Sequence, residues 1–135
     1  MSPDGNLLCL YRDNCADSAL NESDIDEAFI LSSASVLVTG THFSRPNLDA
    51  AQRKAMRIAK ANGRKVIFDI DYRPNLWGLA GLGAGEERYI KSDHVSEHLR
   101  TILPDCDLIV GTEEEVHIAA GSEDTLEALR IIRSL

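Results

Sequence analysis

Short apolar runs alternate along the chain with stretches in which apolar residues recur at helical spacing. Residues 6–11 (NLLCLY), 35–40 (SVLVTG), 65–70 (KVIFDI) and 107–111 (DLIVG) read as strands, the second and third as buried ones. Ser23 with Asp26 three residues on predicts a helix over 24–32 with Ile25, Ala28 and Phe29 on its buried face. Pro46 suits a first helical turn. Leu48, Ala51, Ala55, Ile58 and Ala59 follow at helical spacing, and Asn62-Gly63 is a stop signal. A loop is expected over 71–85. A helix is expected over 86–103, with Val95, Leu99 and Ile102 inward. Thr112 and Glu115 open a short helix ending at Gly121, and a last helix starts near Asp124.

Strands alternating with helices imply βαβ units and a mostly parallel sheet. The 135 residues are expected to form one α/β domain. Ligands of such sheets lie beyond the C-terminal ends of the strands. Three segments fall there: Thr39-Gly40-Thr41-His42, Asp69-Ile70-Asp71-Tyr72-Arg73 and Gly111-Thr112-Glu113-Glu114-Glu115.

Charge narrows the partners. Acidic residues number 22 against 14 basic, a net charge of -8, and no Lys/Arg run appears. That argues against a nucleic-acid or anionic-membrane surface. No apolar stretch approaches the roughly 20 residues of a membrane span. The opening residues lack the basic start and apolar middle of a signal peptide. Cys9, Cys15 and Cys106 form no C-x-x-C pair, which fits a reduced, cytoplasmic chain of ordinary buried thiols. In that compartment the sequon Asn21-Glu22-Ser23 goes unused.

The densest polar cluster is Asp69 to Arg73. An arginine there grips a carboxylate or phosphate through paired hydrogen bonds, or else forms an ion pair with Asp69 or Asp71 that fixes the loop. Tyr11-Arg12 follows the first strand in the same style; its plain reading is a solvated turn. His94 and His98 lie one helical turn apart in an H-x-x-E-H pattern, but nothing marks a third ligand, and a solvated helix face explains them. The glycines of Gly81-Leu82-Gly83-Ala84-Gly85 follow a loop, not a strand, and read as a connector. In Thr112-Glu113-Glu114-Glu115, Glu115 completes a capping box, or an acidic group stands near a phosphate-bound metal; the two can coexist, since the cap needs only one carboxylate.

Phe68-Asp69-Ile70-Asp71-Tyr72-Arg73-Pro74-Asn75-Leu76-Trp77 resembles the D-x-N-x-R-x-x-L-W stretch of ribokinase-like (PfkB) sugar kinases. Tyr11-Arg12, Asn14-Cys15-Ala16-Asp17, Asp24-Ile25-Asp26 and Leu37-Val38-Thr39-Gly40-Thr41 resemble its sugar-acid branch in inositol catabolism. Gly111-Thr112-Glu113-Glu114-Glu115 sits where the family carries N-x-x-E. Asp71 and Thr112 stand where the family has Asn, as in the sugar-acid branch.

The resemblance implies a three-layer, Rossmann-like (ribokinase-like), mostly parallel sheet with helices on both faces, incomplete in this chain. It implies a cytoplasmic enzyme that moves the γ-phosphoryl of ATP, with Mg²⁺, to 5-dehydro-2-deoxygluconate; 2-keto-3-deoxygluconate is the alternative acceptor. Tyr11, Arg12 and Arg73 would bind the sugar acid. Asp71, Tyr72 and Arg73 would border the nucleotide phosphates, and Glu115 would act on Mg²⁺ through water. The family's catalytic Asp, in a G-A-G-D motif, is expected beyond Leu135; Gly83-Ala84-Gly85-Glu86 only mimics it. No catalytic residue is expected within these 135 residues, and the chain alone is expected to be inactive. Exposed sheet edges make homo-oligomerisation or aggregation the expectation. The competing classes are a non-catalytic module for an anionic metabolite and a zinc hydrolase built on His94 and His98.

Overall fold

Branched and aromatic residues with period-2 burial build three strands in a computed structural model that describes residues 14–80 and 89–135. They are β1 (Ser35–Thr39), β2 (Lys65–Asp69) and β3 (Leu108–Val110), paired in parallel in the order β1-β2-β3. The expected strand over 6–11, with Tyr11 and Arg12, lies outside the described residues, as do Gly81 to Gly85.

Helix α1 (Glu27–Leu31) precedes β1, and α2 (Pro46–Ala61) crosses from β1 to β2. α2 begins on Pro46 and ends at Asn62, with Gly63 at φ +67°, a conformation that glycine adopts without penalty. Its buried face is Leu48, Ala51, Ala55 and Ala59, as the spacing predicts, plus Gln52 and Met56. Gln52 does a backbone's work. Its Oε1 accepts the Thr39 N–H at 3.0 Å, and its Nε2 donates to the Thr39 carbonyl at 3.1 Å. α3 (Asp93–Arg100), α4 (Glu113–Ala120) and α5 (Thr125–Ser134) complete the chain.

Val38, Phe68 and Ile109 stand in register on one face of the sheet. They join Phe43, Val95, Leu99, Ile102, Ile118 and Ala119 in one core, where Phe43 meets Phe68 edge-on at 5.8 Å. The opposite face carries Leu37, Ile67 and Leu108 in register. There Leu37 is 61% and Leu108 53% exposed. Among the described residues, the core therefore lies on one face only.

Two helix boundaries differ from expectation. The helix expected over 24–32 shortens to α1, because Asp26 and not Ser23 is the cap: its carboxylate accepts the Ala28 N–H at 2.8 Å and the Phe29 N–H at 3.3 Å. Ser23 belongs to a preceding 3₁₀ turn, Glu22–Asp24, closed reciprocally by Asn21 and Asp24. Ile30 rather than Phe29 meets the core; Phe29 is 71% exposed and Ala28 is also exposed. The helix expected over 86–103 is confined, in its described part, to Asp93–Arg100. The Ser92 hydroxyl accepts the Val95 N–H, and Pro104 forces a 3₁₀ turn at Leu103–Asp105. Cys15 and Cys106 are half-buried rather than fully buried. Burial, reinforced by Asp105, pushes the Cys106 thiol up to about 12, so it carries no reactive thiolate near neutrality.

Among the described glycines, Gly40 has the least room for a side chain. A Cβ there would lie 2.0 Å from the Ile70 carbonyl oxygen. Gly40→Ala should cost about 3 kcal/mol through forced backbone displacement. A urea unfolding midpoint within error of the wild type would refute this.

Candidate functional site

The three strand ends converge on Ile70. Its N–H donates to the Val110 carbonyl at 2.9 Å, extending the β2–β3 ladder by one residue. Gly40 faces its carbonyl from β1, and a Cβ on Gly111 would lie 2.8 Å from its Cδ1. The three segments singled out in the sequence are thus neighbours, and two glycines make the approach possible.

The chain then turns at Asp71, a non-glycine residue at φ +30°. Tyr72 is fully buried; its hydroxyl donates to the Ile90 carbonyl at 2.5 Å. Its side chain belongs to the core, and its backbone alone faces the site. Glu115, only 6% exposed, links this loop to α4. Oε1 accepts the Tyr72 N–H at 3.0 Å, and Oε2 accepts the Thr112 N–H at 2.9 Å. The Thr112 hydroxyl accepts the Glu115 N–H at 3.3 Å, completing the predicted capping box. The bond to Tyr72 had no local signal in the sequence, because the two residues are distant along the chain.

Arg73 is half-exposed. Its Nη2 pairs with Asp71 at 2.7 Å, its Nη1 donates to the Tyr72 carbonyl at 3.1 Å, and Glu115 Oε1 lies 3.8 Å from Nη1. The loop-fixing ion pair weighed from the sequence is therefore present, with Asp71 as partner and not Asp69. It leaves part of the guanidinium open to a ligand.

Residues 73–79 are closed by successive backbone turns, including Leu79 N–H to the Pro74 carbonyl at 2.9 Å. Trp77 meets His98 edge-on at 5.5 Å, and His98 Nε2 lies 3.4 Å from Asp49 Oδ1 without hydrogen-bond alignment. His98 thus faces α2 and the loop, while His94 is exposed. No group of three His, Cys, Asp or Glu able to hold a metal occurs among the described residues. No described helix is long and apolar enough to cross a membrane. At the end of β1, His42 pairs with Asp17 at 3.5 Å.

Burial raises the Tyr72 phenol to about 12. Its folded pKa exceeds the unfolded value near 10, so its contribution to stability is complete below about pH 10 and disappears as pH rises through about 12. Alkaline titration followed at 295 nm should show a late tyrosine step near 12 that Tyr72→Phe removes. A full set of tyrosines titrating near 10 in the folded protein would contradict this placement.

No protein-family profile matches the chain. Individual relatives do. The 5-dehydro-2-deoxygluconokinase of Mesomycoplasma hyopneumoniae is 34% identical over 89% of this chain and 32% of its own length. That of Bacillus velezensis is 31% identical over 96% of this chain and 37% of its own. The chain therefore spans about a third of the length of the curated relatives it matches. Among solved structures, a PfkB protein from a Polaromonas species superposes with a TM-score of 0.74 at 26% identity, over 92% of this chain and 38% of that one. A structure described as a ribokinase II from E. coli in complex with ATP and Mg²⁺ gives 0.65 at 19% identity, over 84% and 32%. In sequence the chain is similar to about a third of proteins named 5-dehydro-2-deoxygluconokinase, and in fold to about a third of a PfkB protein.

Proposed function

We propose that this chain is the central part of an ATP-dependent sugar-acid kinase that phosphorylates 5-dehydro-2-deoxygluconate in inositol catabolism. The observation that carries this reading is Arg73. It is a half-exposed guanidinium at the carboxyl end of β2, in a chain whose relatives are named for that acceptor. A carboxylate ligand takes the open edge of Arg73, beside Asp71, through a charge-assisted contact that a neutral sugar cannot make. Tyr11 and Arg12 are proposed as further substrate-binding residues on the strength of the family resemblance alone.

ATP is the proposed phosphoryl donor. Arg73 suits the bordering phosphate oxygens, with Asp71 beside it and the Tyr72 backbone beneath. Mg²⁺ fits the described residues less well. Asp71 is paired with Arg73, both oxygens of Glu115 accept backbone N–H groups, and no three-ligand group is present among the described residues. No step is therefore routed through a metal held here. The acceptor hydroxyl loses its proton to a base proposed to lie outside these residues, so the 135-residue chain alone releases negligible ADP. The open apolar face of the sheet favours its self-association, and light scattering should show a mass that rises with concentration.

The uninterrupted reading frame, expressed whole, should release ADP from Mg-ATP with 5-dehydro-2-deoxygluconate in preference to 2-keto-3-deoxygluconate, ribose or fructose. Arg73→Ala should raise the KM for the sugar acid about 30-fold, the loss of roughly 2 kcal/mol for a charge-assisted contact. No ADP with any acceptor would move the function to a non-catalytic module for anionic metabolites. ADP release at an ordinary kinase rate by the 135 residues alone would overturn the placement of the base.

A further inference from the structure

We propose that Glu115 is a positioning residue that aims Arg73 by fastening the 71–73 backbone to the start of α4, without acting through metal-bound water. The inference rests on the reading of Arg73 as the group that grips the sugar-acid carboxylate.

Each Glu115 oxygen already has a backbone donor. Oε1 holds the Tyr72 N–H at 3.0 Å and Oε2 the Thr112 N–H at 2.9 Å. The carboxylate is nearly closed to solvent, and Arg73 Nη1, 3.8 Å away, supplies the compensating charge. A buried carboxylate satisfied in this way is a fixed joint and not a water-facing ligand. The joint holds the peptide between Asp71, which bends the chain at φ +30°, and Arg73, whose Nη1 donates back to the Tyr72 carbonyl. Glu115 thus sets both the path of the loop and the near side of the guanidinium. Gly111 allows this: a Cβ there would come within 3.3 Å of Oε2.

Glu115→Gln keeps the shape but supplies one acceptor oxygen for two N–H donors and removes the charge beside Arg73. In the whole-reading-frame protein with Mg-ATP, it should raise the KM for 5-dehydro-2-deoxygluconate about tenfold. The Mg²⁺ concentration for half-maximal rate should stay within about twofold. In an Arg73→Ala background the same substitution should add less than about twofold, because the two residues act as a unit. A tenfold rise in the Mg²⁺ requirement with an unchanged acceptor KM would overturn the proposal, and so would full additivity with Arg73→Ala. An unchanged acceptor KM in Arg73→Ala alone would instead sink the carboxylate-grip reading. The Glu115 joint has a separate readout in the wild-type protein, independent of activity and of whether the variant folds. The Tyr72 and Thr112 amides should both exchange slowly with deuterium in NMR spectra, and rapid exchange of either would overturn the joint.

Discussion

Ile70 has no spare volume around it. Its carbonyl faces Gly40, its side chain faces Gly111, and its N–H continues the ladder into β3. Only residues without side chains permit three strand ends to close on one point. The chain leaving Ile70 must therefore turn at once. It does so at Asp71, and the next two residues are delivered to opposite sides of the sheet end. Tyr72 goes into the core, where its hydroxyl finds the Ile90 carbonyl, and Arg73 goes to the rim. The polar chemistry of the site follows from the packing beneath it.

Strand and helix identities were legible because period-2 and helical spacing report burial directly. KVIFD could be read as a buried strand, and Leu48-Ala51-Ala55-Ala59 as the face of α2. The capping box at Thr112 and Glu115 is likewise local, so its spacing sufficed. The bounds of α1 were not legible, because Asn21, Ser23, Asp24 and Asp26 are all competent caps and tertiary docking chooses among them. Ile30, not Phe29, reaches the core. The site was legible in outline, as three strand ends. Its wiring was not, since the Glu115 bond to the Tyr72 amide and the His98 contacts with Trp77 and Asp49 join residues far apart in sequence.

The charges around Arg73 are unequal in accessibility. Asp71 sits at the rim and is half-exposed, whereas Glu115 is buried beneath. On the proposed reading an incoming anion meets Arg73 on the side of the first and leaves the second in place. Part of the guanidinium thus keeps a permanent counter-charge while its outer edge remains exchangeable. Such an arrangement holds an arginine in place within a chain of net charge -8 without consuming its binding capacity.

Gln52 has a consequence at the margin of the sheet. Its side-chain amide occupies both the N–H and the carbonyl of Thr39, the groups that an adjoining backbone would need for pairing. At the very end where the strand tips gather, β1 is already saturated. A backbone approaching that edge finds no template at this last rung. One glutamine on a neighbouring helix thus closes the strand end with side-chain groups in place of a backbone.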